Sequence, residues 1–399
     1  MNIKIEKKKL YIIGSILIVS VMIGVIAYYY TNMNSVEKGY EIENKKNFLN
    51  DKVAAVYYSG SAYTPQEGSY TVYIDKKGVA SAVRGDAIEV GTIAQGKNFV
   101  VRQNEKEVLM IGGNLKKFPI KHKVHTSYGQ SSGYLNKTNL FYFINNQGFG
   151  EKQYNSLIRW GNQNNFREKI IPGYYVSTGN DEENIYVITE DMDTGKVNFQ
   201  SINVSEKKVF LNKRIPITGL KDGNWSIASQ ILINKGLAYF IVDNQSDESK
   251  KIQLKIAIVD IKNQKFKGTY PLGTYNIPIE ISNLASQFTT NNFIIKDHKL
   301  YHLAANSYLY TFDLKKMQVA ESYPLTRSTK FEDQADMTYF GDSEIFLLEK
   351  RESGNFEINS YSYENGKKIK TIPIKGLEKI VNKHNVFQYD FFMINRNRE

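Results

Sequence analysis

The chain contains no cysteine. That excludes disulfides, thiolate metal sites, cysteine nucleophiles and anchoring through a lipidated cysteine. Tryptophan is nearly missing as well, with Trp160 and Trp225 alone. Histidine is limited to His122, His125, His298, His302 and His384. No spacing among them has the helix and glutamate that make a zinc site convincing. Proline is scarce, eight residues in 399, and its placement turns out to be the most informative feature of the chain.

One uncharged, mostly apolar run stands out, from Leu10 to Tyr30. As a helix rising about 1.5 Å per residue it spans about 30 Å, the thickness of a bilayer core. Lys4, Lys7, Lys8 and Lys9 precede it, and Tyr28, Tyr29 and Tyr30 close it. Positive-inside bias and an outer aromatic belt then predict a cytoplasmic N-terminus with the rest of the chain exported. The competing reading is a cleaved signal peptide with a site at Val25-Ile26-Ala27, which would give a secreted protein. The length of the run and the tyrosines after that site favour a retained anchor. Nothing nearby is helical and amphipathic enough to cover the run as a buried core helix. The expected division is residues 1–9 as a cytoplasmic basic tail, 10–30 as a single-pass transmembrane signal-anchor, 31–51 as a polar stalk and 52–399 as an extracytoplasmic domain. Export without disulfides fits a single-membrane bacterium.

Six prolines recur between apolar residues near the ends of β-rich segments: Pro119, Pro172, Pro216, Pro271, Pro324 and Pro373. Their gaps are 53, 44, 55, 53 and 49 residues. A repeat of that length built from short strands indicates propeller blades. Proline donates nothing to a ladder, so a proline at a constant place marks an outer edge strand or the exit from it. Each unit has one order, clearest in Lys299-Leu-Tyr-His-Leu, Ser307-Tyr-Leu-Tyr-Thr-Phe-Asp-Leu, the turn Lys315-Lys316, and Val319-Ala-Glu-Ser-Tyr-Pro-Leu. Alternating apolar residues bounded by Asn-Gly, Asp-Thr-Gly and Ser-Gly turns are hairpin grammar. Five intervals make five blades, and the two flanks supply about two more. The C-terminal run Val386-Phe-Gln-Tyr-Asp-Phe-Phe-Met-Ile lacks hairpin partners and is expected to pair with residues 53–58, closing the ring. The fold class expected is therefore all-β: a β-propeller of about seven four-stranded blades, with six or eight as the bounds, preceded by one N-terminal transmembrane helix.

The units resemble YVTN/lactonase-type propeller repeats, in which a Tyr-Val strand is followed by a Val-Ile-Asp strand, a polar turn and an Ile-Pro-Val-Gly-like segment. Ile185-Tyr-Val, Ile258-Val-Asp, Phe312-Asp-Leu and the proline motifs carry the likeness, over roughly residues 53–395. The resemblance implies a fold rather than an activity. Lactonase-type relatives bind a divalent ion in the funnel, which makes a metal-dependent hydrolase or lactonase the alternative function. The acidic cluster Glu332, Asp333 and Asp336 is its metal candidate, set against a solvated loop. A quinone-dependent dehydrogenase propeller is disfavoured, because its tryptophan docking repeat is absent. No cofactor is otherwise expected.

Two motifs mimic catalytic signatures. Gly129-Gln-Ser131-Ser-Gly133 matches G-x-S-x-G, but the next residues, Tyr134-Leu-Asn-Lys-Thr-Asn-Leu-Phe-Tyr-Phe-Ile144, are strand-like where the hydrolase motif needs a helix. An inter-strand loop is expected there. His298 and His302 would share a face of a strand, while His122 and His125 would not. Asp191-Met-Asp193-Thr-Gly195 lacks the sixth-position glycine and twelfth-position glutamate of a calcium loop and fits a hairpin turn.

The formal charge is +11. Removing Lys4, Glu6, Lys7, Lys8 and Lys9 takes away a net +3 and leaves +8 outside the membrane. Lysine pairs precede the proline in four units: Lys207/Lys208, Lys262/Lys265, Lys315/Lys316 and Lys367/Lys368. In equivalent turns they would form a basic face, although lysine also protects sheet edges. An exported basic surface suits an anionic envelope polymer, lipid headgroups or a protein partner, and an exported domain argues against nucleic acid. The expected function is a non-enzymatic binding, scaffold or sensor module at the bacterial cell envelope.

Overall fold

A computed structural model describes residues 18–25, 37–38, 42–124, 129–151, 153–218, 225–246, 251–276, 291–304, 306–326 and 337–394. It is a seven-bladed β-propeller, and each blade is an antiparallel sheet of four main strands. From inner to outer strand, blade 2 comprises Ile93–Gln95, Val100–Gln103, Glu107–Ile111 and Lys116–Pro119. Blade 3 comprises Gln130–Leu135, Leu140–Phe149, Tyr154–Gly161 and Phe166–Pro172. Blade 4 runs Tyr174–Asn180, Asn184–Glu190, Val197–Val204 and an outer strand split into Val209–Leu211 and Ile215–Pro216. In blade 5 the inner strand is split, Trp225–Ile227 and Leu232–Asn234, followed by Leu237–Ser246, Lys251–Asp260 and Lys265–Asn276. Blade 6 is Phe293–Lys296, Lys299–Leu303, Tyr308–Asp313 and Gln318–Pro324, and blade 7 is Met337–Phe340, Glu344–Lys350, Phe356–Ser362 and Lys368–Ile374.

Blade 1 closes the ring. Its inner strand is the C-terminal Phe387–Met393, its others are Lys52–Ser59, Ser69–Asp75 and Ala80–Gly85, and Glu37–Lys38 adds a short parallel strand beyond Ala80–Gly85. Met393 lies opposite Ala54 and Phe387 opposite Ser59, and Ile394 N–H donates to Val53 O at 2.8 Å. Joining segments from opposite halves of the chain in one sheet pairs the inner edge of Lys52–Ser59 and closes the ring. The closure expected between residues 386–394 and 53–58 is therefore the one observed.

All six repeat prolines lie on outer strands, and four of them (Pro119, Pro172, Pro216 and Pro324) are the last residue of the strand. Pro271 stands opposite Lys255 beside a register shift, where a missing donor does the least harm. The ends of two of these strands press on the turn of the following blade. A Cβ at Gly366 would meet Pro324 O at 2.6 Å, and one at Gly78 would meet Pro373 O at 2.1 Å. Both glycines also have positive φ, 65° and 77°, so contact and backbone each demand glycine there.

The core is a ring of interblade layers. Seven separate apolar clusters each join two neighbouring blades: Ile241 and Ile256 of blade 5 meet Phe293 and Phe312 of blade 6, for example. The opposite face of the same blade 5 strands sends Phe240, Ala257 and Val259 to Phe199 of blade 4. Second and third strands are buried on both faces, which explains continuous apolar runs such as Leu140-Phe-Tyr-Phe-Ile144. His302 is one of the few ionisable groups in such a layer, 2% exposed, and burial lowers its pKa to about 4.

Residues 18–25 are helical with exposed side chains, among them Ile18, Met22 and Ile23. Among the described residues no helix is long and apolar enough to cross a membrane. The remainder of the 10–30 run lies outside the described residues. Residues 42–51, at the end of the stretch read as a stalk, pack against the propeller, with Ile42, Glu43 and Leu49 buried. Glu43 accepts from Arg102 Nη2 at 3.0 Å and from Tyr73 Oη at 2.8 Å, a buried ion pair holding the incoming chain against blades 1 and 2.

Candidate functional site

Two surfaces have the concentration of chemistry that a site requires: the central funnel and a set of lysine-bearing turns. The funnel holds a cavity of about 1040 Å³. Its wall comes mainly from the inner strands of blades 2 to 5, which are short and polar because they face the axis rather than an apolar layer. Side chains lace these strands together. Asp390 Oδ2 accepts from Ile93 N–H at 2.8 Å, linking blades 1 and 2. Asn146 Nδ2 donates to Tyr175 O at 3.1 Å and Ser131 bonds Thr178, linking blades 3 and 4. Ser177 Oγ donates to Ser229 O at 2.7 Å between blades 4 and 5, and Asn292 Nδ2 to Ala228 O at 2.7 Å between blades 5 and 6.

Glu89, Glu190 and Asp390 line the cavity, and among the described residues no lysine, arginine or histidine does. Tyr142, Tyr174, Tyr175 and Trp225 are its aromatic members. Burial raises the pKa of Tyr174, with a further push from the charge of Glu190, and raises that of Tyr175 well above the phenol range. Lys255 Nζ stands 4.2 Å from the Trp225 ring centroid, a cation–π contact that holds the indole. Behind the wall Ser226 Oγ donates to Asp243, whose carboxyl is raised by burial.

Ser131 lies in this wall, on the inner strand of blade 3 rather than in a loop. It is no nucleophile elbow, since strand follows strand. His298 occupies a turn with φ 59° and does not share a strand face with buried His302. His122 Nδ1 lies 3.4 Å from Glu168 and His384 Nδ1 3.3 Å from Glu67, while His125 lies outside the described residues. Asp191 caps a hairpin turn, accepting from the amides of Asp193 and Thr194 at 3.1 and 3.0 Å. Glu332, Asp333 and Asp336 fall outside the described residues. Among those described, no group of three or more histidines, aspartates or glutamates is placed to hold a metal ion.

The lysine pairs occupy one structural position. Lys207/Lys208, Lys262/Lys265, Lys315/Lys316 and Lys367/Lys368 all sit at the turn between third and outer strands, in blades 4, 5, 6 and 7. All are exposed except Lys368, half-buried with its Nζ 3.7 Å from Glu357. The phase extends to two further blades. Lys76 and Lys77 fill the same turn of blade 1, and Lys116 and Lys117 open the outer strand of blade 2. Blade 1 has no repeat proline to set its phase, whereas Lys116-Lys117-Phe-Pro119 carried the signal in plain view. Only blade 3, with Asn162-Gln-Asn-Asn165, lacks lysine in this turn.

Because strand direction alternates, the turns joining inner to second and third to outer strands open on the same side of the disc. The lysines thus form an outer ring on that side, while the inner turns nearer the axis are mixed in charge, with Asp181, Glu182, Glu183 and Asp342 beside Lys97, Lys137 and Lys235. The second strand of blade 1 begins at Lys52 on this side too, so residues 42–51 lie there. They border a smaller cavity of about 330 Å³ with the blade 2 turns at Gly96 and Gly112.

A closed seven-bladed ring with a polar funnel and lysine-bearing outer turns defines a β-propeller. The chain belongs to the YycP β-propeller domain family, whose model matches residues 47–394. It is 23% identical over 366 residues to the Bacillus subtilis (strain 168) protein described as uncharacterized protein YycP, covering 88% of this chain and 89% of that one. Among solved structures it is similar to AztD of Citrobacter koseri, with TM-score 0.45, 13% identity, and coverage of 84% of this chain and 88% of that one. It is also similar to BamB of Moraxella catarrhalis, at TM-score 0.38, 11% identity, and 70% and 74% coverage. The lactonase-type resemblance holds as far as the propeller itself.

Proposed function

We propose that the chain is a non-enzymatic binding or scaffold module of the bacterial cell envelope, tethered by its N-terminal segment and gripping a polyanionic partner through its lysine-bearing turns. The observation that carries this reading is the recurrence of lysine at one position in six of seven blades, on the side where the chain enters the propeller. If residues 10–30 anchor the chain, that side faces the headgroup layer. Each lysine near an anionic surface then contributes about 1 kcal/mol, screened beyond roughly 8 Å at physiological salt. The test is co-sedimentation of the full chain with anionic vesicles, neutral vesicles and wall-polymer preparations. Replacing Lys207, Lys208, Lys262, Lys265, Lys315, Lys316, Lys367 and Lys368 by glutamate abolishes anionic binding on this reading, and retained binding refutes it.

The alternative is a lactonase-like hydrolase with a divalent metal in the funnel, for which the lining carboxylates Glu89, Glu190 and Asp390 are the supporting observation. Metal analysis of the purified chain, with thermal shifts in Ca²⁺ and Mn²⁺, decides between the two. A bound ion or a raised melting temperature favours the hydrolase.

A further inference from the structure

Five of the interblade junctions around the funnel use a side chain whose hydrogen bond is satisfied by the neighbouring blade. Four are those of Asp390, Asn146, Ser177 and Asn292, and the fifth is Thr338, whose Oγ1 donates to Asn291 O at 3.1 Å. The junction of blades 2 and 3 is bridged between second strands, where Gln103 Nε2 donates to Asn145 Oδ1 at 2.7 Å. Nearer the axis its strands meet through Gln130 N–H and Val90 O at 3.1 Å. The Gln130 side chain is 6% exposed, lines the cavity, and has no partner on either Oε1 or Nε2. Thr92, also 6% exposed and lining the cavity, has no partner on Oγ1. A buried amide left unpaired costs about 1–3 kcal/mol per group. Two such residues lining one cavity mark a place for a ligand's polar atoms.

We infer that the funnel between blades 2 and 5 binds a neutral, polyhydroxylated ligand of the saccharide class. Gln130 offers a donor and an acceptor at one locus, and Thr92 offers a hydroxyl. Such paired capacity matches sugar hydroxyls, which both donate and accept. Trp225 and Tyr174, each half-buried on the same cavity, supply aromatic faces for the apolar C–H face of a sugar ring. Charge selects the same class. With Glu89, Glu190 and Asp390 on the wall and no cationic side chain among the described lining residues, anions are repelled. Asp390 is spent on Ile93 and Phe391 amides and Glu89 accepts from Ala62 N–H at 2.8 Å, so neither is free to seize a cation. A volume of about 1040 Å³ is ample for a disaccharide.

This inference takes up the reading of the chain as a binding module and gives its funnel a ligand distinct from the polyanion of the lysine ring. The test uses the full chain carrying Trp160→Phe, which leaves Trp225 as the sole tryptophan reporter. Glucose, galactose, N-acetylglucosamine and their β-linked disaccharides are titrated, with glucosamine and glucuronate as cationic and anionic controls. The expected result is a saturable change in Trp225 emission with at least one neutral probe, stronger for the disaccharide and absent for glucuronate. Gln130→Leu weakens that response about tenfold. The near-isosteric Thr92→Val weakens it severalfold and guards against loss of folding in the first variant. Glutamate at the eight lysine positions leaves it unchanged, so failure of the lysine reading is seen separately. Silence from every neutral probe, an undiminished response in both Gln130→Leu and Thr92→Val, or tighter binding of glucosamine than of N-acetylglucosamine overturns the inference.

Discussion

The inner strands of blades 2 to 5 and the outer turns of blades 4 to 7 belong to the same repeating unit, yet they are opposite in chemistry. The inner strands are short, laced from blade to blade by serine, threonine, asparagine and aspartate, and carry carboxylates with no cationic side chain among the described lining residues. The outer turns are lysine-rich and exposed, with little packing to constrain them. A repeat holds its second and third strands to strict apolar character, because they are buried on both faces. Its two ends are released from that demand and free to carry different functions. The difference teaches that one repeating unit can offer two chemically opposite surfaces, for which we propose an anion at the rim and a neutral molecule on the axis.

The largest expected effect breaks both surfaces together. A chain ending at residue 385 loses the closing strand with Phe391, Phe392 and Met393, each buried. Losing several such side chains at about 2–5 kcal/mol each exceeds the stability of a typical domain. The expected outcome is an aggregated chain without cooperative melting by circular dichroism.

Breaking the rim alone is the next step down. The eight lysine-to-glutamate changes are expected to lower polyanion affinity by at least about 100-fold. Stability should shift by no more than about 0.5 kcal/mol per exposed site, read by urea denaturation. Raising salt from about 0.1 to about 0.5 M should weaken the unmodified chain in the same assay while leaving the funnel response intact.

Acid separates the blades rather than the surfaces. His302 has a folded pKa of about 4 against an ordinary 6.5, because burial penalises its charged form. Its neutral state is fully compatible with folding above pH 6.5, and stability falls as pH drops from 6.5 towards 4. At about 1.4 kcal/mol per unit the loss reaches about 3 kcal/mol near pH 4. Urea midpoints at about pH 7 and about pH 4.5 measure it, and His302→Gln should flatten the slope. An unchanged slope would place the acid sensitivity elsewhere.

The smallest effect sharpens the funnel wall. Asp390→Asn keeps the shape but weakens the charge-assisted bond to Ile93 N–H, at a cost of about 1–2 kcal/mol. Rim binding should not change, and a lowered polyanion affinity in that variant would argue that the two surfaces are coupled.

Much of the fold was legible in the chain. The proline period, the alternation in segments such as Tyr308–Asp313, and the lone apolar run at residues 386–394 are local facts, and they led to seven blades with a strand-swapped closure. Four of the lysine pairs were visible for the same reason. Lys76 and Lys77 were missed because blade 1 ends in Gly85 without a repeat proline. Ser131 was read as loop because a Gly-Gln-Ser-Ser-Gly stretch has no apolar alternation. An inner strand facing the axis needs none.

What the amino-acid sequence determined by itself was the repeat, its phase and its closure, since those arise from residues adjacent along the chain and from what a proline or a buried strand can tolerate. Tertiary structure alone decided which turns share a side, that residues 42–51 enter on that side, and that the buried side chains of Gln130 and Thr92 lack partners in the funnel wall. Those properties arise between residues that sit in different blades, tens of positions apart, where packing rather than local pattern sets which polar groups meet.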